Sequence, residues 1–152
     1  MNLIFGIFII LIIFFGMEII AWATHKYLMH GLLWRLHKDH HIVDKNNKFQ
    51  KNDFFFLIFA IPSMIVISIG YEHYNICLFF GLGIALYGLG YFIVHEIIIH
   101  KRLPFLKKSN NPYIKSIRMA HKVHHKTLGK YGATSFGMLI VSKKYFKLCA
   151  YI

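Results

Sequence analysis

Three apolar runs of membrane-spanning character, at residues 2–24, 54–70 and 77–94, limit this chain more than any other feature. The first is broken only by Glu18 and is long enough to cross a hydrocarbon core of about 30 Å. The second is short and carries Pro62, which a membrane helix tolerates when neighbours satisfy the freed carbonyl. The third places Gly81, Ala85 and Gly88 at helical spacing, a face suited to close helix packing or to a groove for a long apolar ligand. Inside a bilayer every backbone polar group needs an internal partner, so these runs predict helices. At 57% hydrophobic residues, a 152-residue chain is too apolar for an ordinary soluble fold. The expected fold is all-α, a single domain over residues 1–152 forming an integral-membrane bundle of about three transmembrane helices. The first run lacks the basic start and small-residue cleavage site of a signal peptide, so a retained helix is expected.

Charge sets the expected orientation. All 18 Lys and Arg fall within residues 25–53 or after His100, and neither the N-terminus nor the 71–75 turn carries one. By the positive-inside rule both basic stretches belong on the cytoplasmic side, with the N-terminus and the 71–75 turn opposite. A formal charge of +12 would also suit nucleic acid, but basic residues flanking membrane-length runs point to anionic lipid instead. Cys77 and Cys149 have no metal-ligand spacing and are expected to be unpaired thiols.

Eight of the eleven histidines lie in these two basic stretches, and His95 and His100 stand immediately before the second. These ten form four boxes: His25 and His30 in HKYLMH; His37, His40 and His41 in HKDHH; His95 and His100 in HEIIIH; His121, His124 and His125 in HKVHH. H-x4-H followed by H-x2-H-H thus occurs twice, whereas a random chain of this histidine content would carry about 0.06 copies of the second pattern. On a helix, positions i, i+3 and i+4 project to one side, so an H-x2-H-H box can offer three imidazoles to one volume. An H-x4-H pair is turned by about 140° on an ideal helix, which calls for a helix end, a bend, or two different metals. Ten imidazoles exceed the roughly four to six ligands of one first-row ion, so two ions with up to five histidines each are expected. Imidazole suits zinc, copper, iron and nickel alike. A site at the mouth of an apolar bundle would meet a hydrophobic substrate whose C–H bonds demand a redox metal, which favours iron with dioxygen. His73 lies in the opposite turn and is expected to be a bystander.

The carboxylates leave alternatives open. Glu96 adjoins His95, and Asp39 lies inside the second box; either would orient an imidazole through its other nitrogen, although Asp39 could equally be solvated or salt-bridged. Glu18 stands two turns before His25 and is expected either to support the site from behind or to be satisfied at the interface. Asn111 and Pro112 predict a helix start, after which Ile114, Ile117, His121 and His124 share one face. Residues 132–141 are apolar but too short to span, and would be interfacial, re-entrant or a cover over the site.

The stretches FIVHEIIIHKRLPF and AHKVHHK followed by GKYGATSFGML, together with HKYLMHG, resemble the bacterial β-carotene 3-hydroxylases of the fatty acid hydroxylase and sterol desaturase superfamily. The resemblance covers residues 18–140 and all four boxes. It implies a helical membrane fold, a centre of two non-haem iron ions, dioxygen as co-substrate, a separate ferredoxin-type electron donor, and hydroxylation at carbon 3 of a β-ionone ring. The ligand set it implies is His25, His30, His37, His40, His41, His95, His100, His121, His124 and His125. Where that family usually has Asp after the first histidine of the third box, this chain has Glu96, which keeps the charge and alters its position. The implied location is the bacterial inner membrane, with the metal site on the cytoplasmic face. Lys101, Arg102, Lys107 and Lys108 would suit an acidic electron carrier or anionic lipid. The rivals are a fatty-acyl or sterol hydroxylase or desaturase, and a non-enzymatic membrane metal-binding or transport protein.

Overall fold

The computed structural model describes residues 1–42, 49–102 and 108–150; Lys107 and the end of the FIVHEIIIHKRLPF stretch lie outside them. The described residues are helical or irregular and include no strand. In chain order they form α1 (Leu3–Ala23), α2 (Trp34–His41), α3 (Phe55–Tyr71), α4 (Ile76–Phe92), α5 (Pro112–His125) and α6 (Lys143–Ala150). Two π-helical segments, Thr24–Leu32 and Ile93–Ile99, continue α1 and α4 without a break.

Three continuous helices, Leu3–Leu32, Lys51–Tyr71 and Ile76–Ile99, are long and apolar enough to cross a membrane, which bears out the expected count. Their outward faces are apolar: Ile4 is 77% exposed, Ile19 67% and Met64 67%. Such surface is stable against lipid and costly against water. The first helix runs past Thr24, where the hydropathy pattern stops, because the added residues include polar side chains that turn inward rather than outward.

Helix α4 is the centre of the bundle, packing against both α1 and α3. On α4 itself, glycine permits these contacts at two positions. A Cβ on Gly81 would stand 2.9 Å from the Ile67 nitrogen of α3, and one on Gly83 would stand 3.1 Å from the Ile10 oxygen of α1. The packing glycines are therefore Gly81 and Gly83. Gly88, expected on this face, meets open space, because α1 and α3 flank α4 on different sides. The Ser63 hydroxyl donates to the Gly81 carbonyl at 2.9 Å, closing the α3–α4 contact.

Beyond the spans, Asn111 caps α5 through its side chain, with Pro112 in the first turn, as the sequence predicts. Ile117 of α5 packs with Val94, Ile98 and Met138 in a small core that joins α4's π-helical end, α5 and the segment 127–142. Carbonyls of that segment accept from four of the histidines, so it covers the site. Cys77 and Cys149 are free. His73 is exposed in the turn at the far end of the α3–α4 hairpin.

Candidate metal centre

Hydrogen bonding in the π-helical segments explains the H-x4-H spacing. Leu33 N–H donates to the Leu28 carbonyl at 2.8 Å, and His100 N–H to that of His95 at 2.9 Å, both five residues back. This wider winding brings residues i and i+5 to one side of the helix. His25 and His30 therefore face one volume, and His95 and His100 another. The backbone leaves helical geometry at Gly31 (φ −109°, ψ −110°) and turns into α2, which carries the second box.

Nine of the ten box histidines converge as two neighbouring sets. His25, His30, His37, His41 and His124 bring one ring nitrogen each to within 4.8 Å of one another, as do His40, His95, His100 and His121. His125 adjoins both sets, with its ring centroid 4.3 Å from His121, 4.7 Å from His40 and 5.4 Å from His100, and stacked on His41 of the first set at 4.6 Å. Its Nε2 is buried with no hydrogen-bond partner among the described residues. The H-x2-H-H boxes do not serve one volume each. His37 and His41 join the first set while His40 joins the second; His124 joins the first while His121 joins the second, and His125 lies between them.

The outer nitrogens are held by acceptors. In the five-histidine set, Nδ1 of His25 donates to the Phe136 carbonyl at 3.0 Å, His30 to Lys130 at 3.1 Å, His41 to Thr127 at 2.9 Å and His124 to Thr134 at 2.9 Å. His37 Nδ1 donates to the Asn52 side-chain oxygen at 2.6 Å. In the other set, His40 Nδ1 meets Gln50 Oε1 at 2.8 Å and His95 Nδ1 meets Glu96 Oε1 at 2.5 Å. Carbonyl and carboxylate oxygens only accept, so each of these Nδ1 atoms carries the proton and each Nε2 presents a lone pair. Those lone pairs face each other: 3.2 Å separates His25 from His37, His37 from His41, and His30 from His124, and 3.1 Å separates His40 from His95.

Neutral imidazoles so arranged cannot bond to one another and need a cation between them. Opposite ligands around an ion at a metal–nitrogen distance of about 2.1 Å stand about 4.2 Å apart, close to the spread observed. The residues thus fit metal ions at both sets. Aromatic rings wall the first: Phe136 lies 5.2 to 5.4 Å from His25, His30 and His124, and Trp34 lies 5.1 Å from His30.

Burial disfavours the charged form of the imidazoles outside the spans. It is the main cause holding His37, His100 and His124 near 3, His41 near 4 and His125 near 2, against an ordinary 6.5, with neighbouring histidines adding to the effect. His40 and His121 are also well below the ordinary value, for the same reason. Between pH 6.5 and about 4 the unfolded chain binds protons that the folded chain refuses, so the folded state loses stability as pH falls. The thermal midpoint of the metal-free protein is expected to be level above about pH 7 and to drop progressively towards pH 4. A level midpoint throughout would contradict the neutral assignment.

The carboxylates divide. Glu96 joins His95 to Arg102, whose Nε stands 2.7 Å from Glu96 Oε2. Asp39 does not reach an imidazole: its Oδ2 accepts from Lys51 N–H at 2.5 Å, tying down the turn that supplies Gln50 and Asn52. Those two amides, unmarked by any spacing in the sequence, orient imidazoles, which was one of the two readings left open for Asp39. Glu18 touches no histidine and binds the backbone of the cover.

The comparisons with known proteins agree with this geometry. A protein named beta-carotene hydroxylase from Pantoea ananas is 39% identical over 131 residues, covering 86% of this chain and 74% of its own. One of the same name from Pseudescherichia vulneris is 36% identical, covering 89% and 76%. A chloroplastic beta-carotene 3-hydroxylase from Haematococcus lacustris is 38% identical over 82% of this chain and 40% of its own. No solved structure gives a significant match. The fatty acid hydroxylase family model matches residues 10–142, from the middle of the first span to the end of the cover and through all four boxes, and the chain belongs to that family.

Proposed function

We propose that this protein is a membrane monooxygenase that hydroxylates carotenoid β-ionone rings at carbon 3, converting β-carotene to β-cryptoxanthin and then zeaxanthin. The observation that carries the reading is the pair of neutral imidazole sets with facing lone pairs at the end of three apolar helices. The substrate follows from the similarity to proteins named beta-carotene hydroxylases. The ten box histidines would hold two iron ions, five each, with His125 completing the second set. When bound, the iron supplies the redox capacity to reduce dioxygen and oxidise an unactivated C–H bond. Per hydroxylation, one oxygen atom enters the ring and the other leaves as water, consuming two electrons and two protons.

The chain's own residues orient and shield. Backbone carbonyls, Asn52, Gln50 and Glu96 fix the tautomer and direction of the rings. Phe136 closes the five-histidine set on the side of a 420 Å³ groove lined by Ile19, Trp22 and Ile140, whose outward residues would adjoin lipid. An apolar ring arriving from the bilayer would meet that wall and not water. Electrons would come from a separate ferredoxin-type carrier, and the basic Lys101, Arg102 and Lys108 suit an acidic one. The charge distribution supports an inner-membrane location with the histidines on the cytoplasmic face.

Expression in a bacterium accumulating β-carotene is expected to yield β-cryptoxanthin and zeaxanthin, with the new hydroxyl labelled by oxygen-18 gas. An active preparation that oxidised acyl chains or sterols but left β-carotene untouched would remove the substrate assignment and spare the metal one. Bound metal without an oxygen-dependent product would favour storage or transport.

A further inference from the structure

A carboxylate buried in an apolar membrane helix is costly unless its partners are many and well placed. Glu18 is 5% exposed. Its Oε1 accepts three consecutive backbone N–H groups of the cover, from Met138 at 2.9 Å, Leu139 at 2.9 Å and Ile140 at 3.0 Å. Its Oε2 accepts from the Tyr87 hydroxyl of α4 at 2.7 Å. One side chain of α1 thus pins the cover to α1 and α4 together, through four donors aimed at one carboxyl group. The backbone passes so close at Gly137 that a Cβ there would stand 3.2 Å from Glu18 Oε1 and 3.1 Å from the Ile140 carbonyl.

The cover carbonyls that accept from histidines all serve one set. Thr127, Lys130, Thr134 and Phe136 accept from His41, His30, His124 and His25, four members of the five-histidine set. In the neighbouring set, His40 and His95 are oriented by Gln50 and Glu96, which do not belong to the cover. The clamp at residues 138–140 begins two residues after the Phe136 carbonyl, so releasing it frees the acceptors of one set and leaves those of the other in place.

We propose that Glu18 is a positioning residue for the five-histidine set, acting through the cover: by fixing residues 138–140 it sets the Thr134 and Phe136 carbonyls that aim His124 and His25. The proposal rests on the two-metal reading above. Its signature is selectivity between the two sites.

Cobalt(II) titrated into the metal-free full-length protein in nanodiscs, followed by visible absorption and elemental analysis, separates the possibilities. The unaltered protein is expected to take up two ions. Glu18→Ala is expected to weaken one site by about 10–100-fold, the usual cost of losing an outer partner, and to leave the other unchanged. Glu18→Gln keeps an acceptor oxygen for the three N–H groups and should recover most of the lost affinity. Gly137→Ala, which crowds the clamp from the other side, should weaken the same site. Equal weakening of both sites, or no weakening of either, would overturn the role. If Glu18→Ala fails to insert, Gly137→Ala decides: one weakened site supports the role and two unchanged sites overturn it. Failure of the unaltered protein to bind cobalt would instead overturn the metal reading itself, and this inference with it.

Discussion

Alanine at His124 is expected to lower hydroxylation by more than about 100-fold and to reduce bound metal from two ions towards one, while His73→Ala behaves like the unaltered protein. Losing an outer partner of a metal ligand already costs about 10–100-fold, and removing the ligand itself should cost more. His124 is fully buried, its Nδ1 is held by the Thr134 carbonyl, and its Nε2 stands 3.2 Å from that of His30. No exposed residue can take its place. His73 lies in the turn at the other end of the α3–α4 hairpin. The comparison should extend to His121→Ala, from the same box but the neighbouring set. If each set holds its own ion, the two variants lose different ions, and their residual metal should differ in spectroscopic signature. Metal content and product must be measured on membrane-inserted protein, since failure to insert would imitate loss of chemistry. Full activity in both variants would remove the ten-histidine centre.

Exchange of iron for zinc is expected to leave the protein folded and to abolish turnover. Zinc accepts imidazole nitrogens at similar distances but has no accessible redox state, so it should fill the lone-pair cavities without supplying electrons to dioxygen. Because an ion that binds only the folded state stabilises it, zinc-loaded and iron-loaded protein should both melt above the metal-free form. Product should appear with iron alone. Hydroxylation at an undiminished rate by zinc-loaded protein, with iron excluded by elemental analysis, would overturn the redox role. Identical melting of the loaded and metal-free forms would show that the histidine sets do not hold the ion.

Much of the scaffold was legible because its causes are local. Long apolar runs register as spans since the bilayer acts on each segment independently, and Asn111–Pro112 registers as a helix start since a cap is made within one turn. The end of the first span was not legible in hydropathy. His25 and Lys26 look like a boundary, yet the backbone continues to Leu32 because its histidines turn into a shared interior.

The sequence by itself determined the number of spans, the four boxes and the count of imidazoles, on which the expectation of a metal centre beside a membrane rests. Only the tertiary structure decided how those imidazoles are shared. Linear spacing suggested that each H-x2-H-H box would serve one volume, but His40 parts from His37 and His41, and His124 from His121. The π-helical winding that unites His25 with His30 and His95 with His100 likewise depends on a hydrogen-bond register that residue types do not declare. Asn52, Gln50, the four cover carbonyls and Glu18 act across 10 to 122 positions of sequence. A hydrogen bond is specified by where two atoms meet in space, and for groups so far apart along the chain that meeting is made by the packing of α1, α4 and the cover.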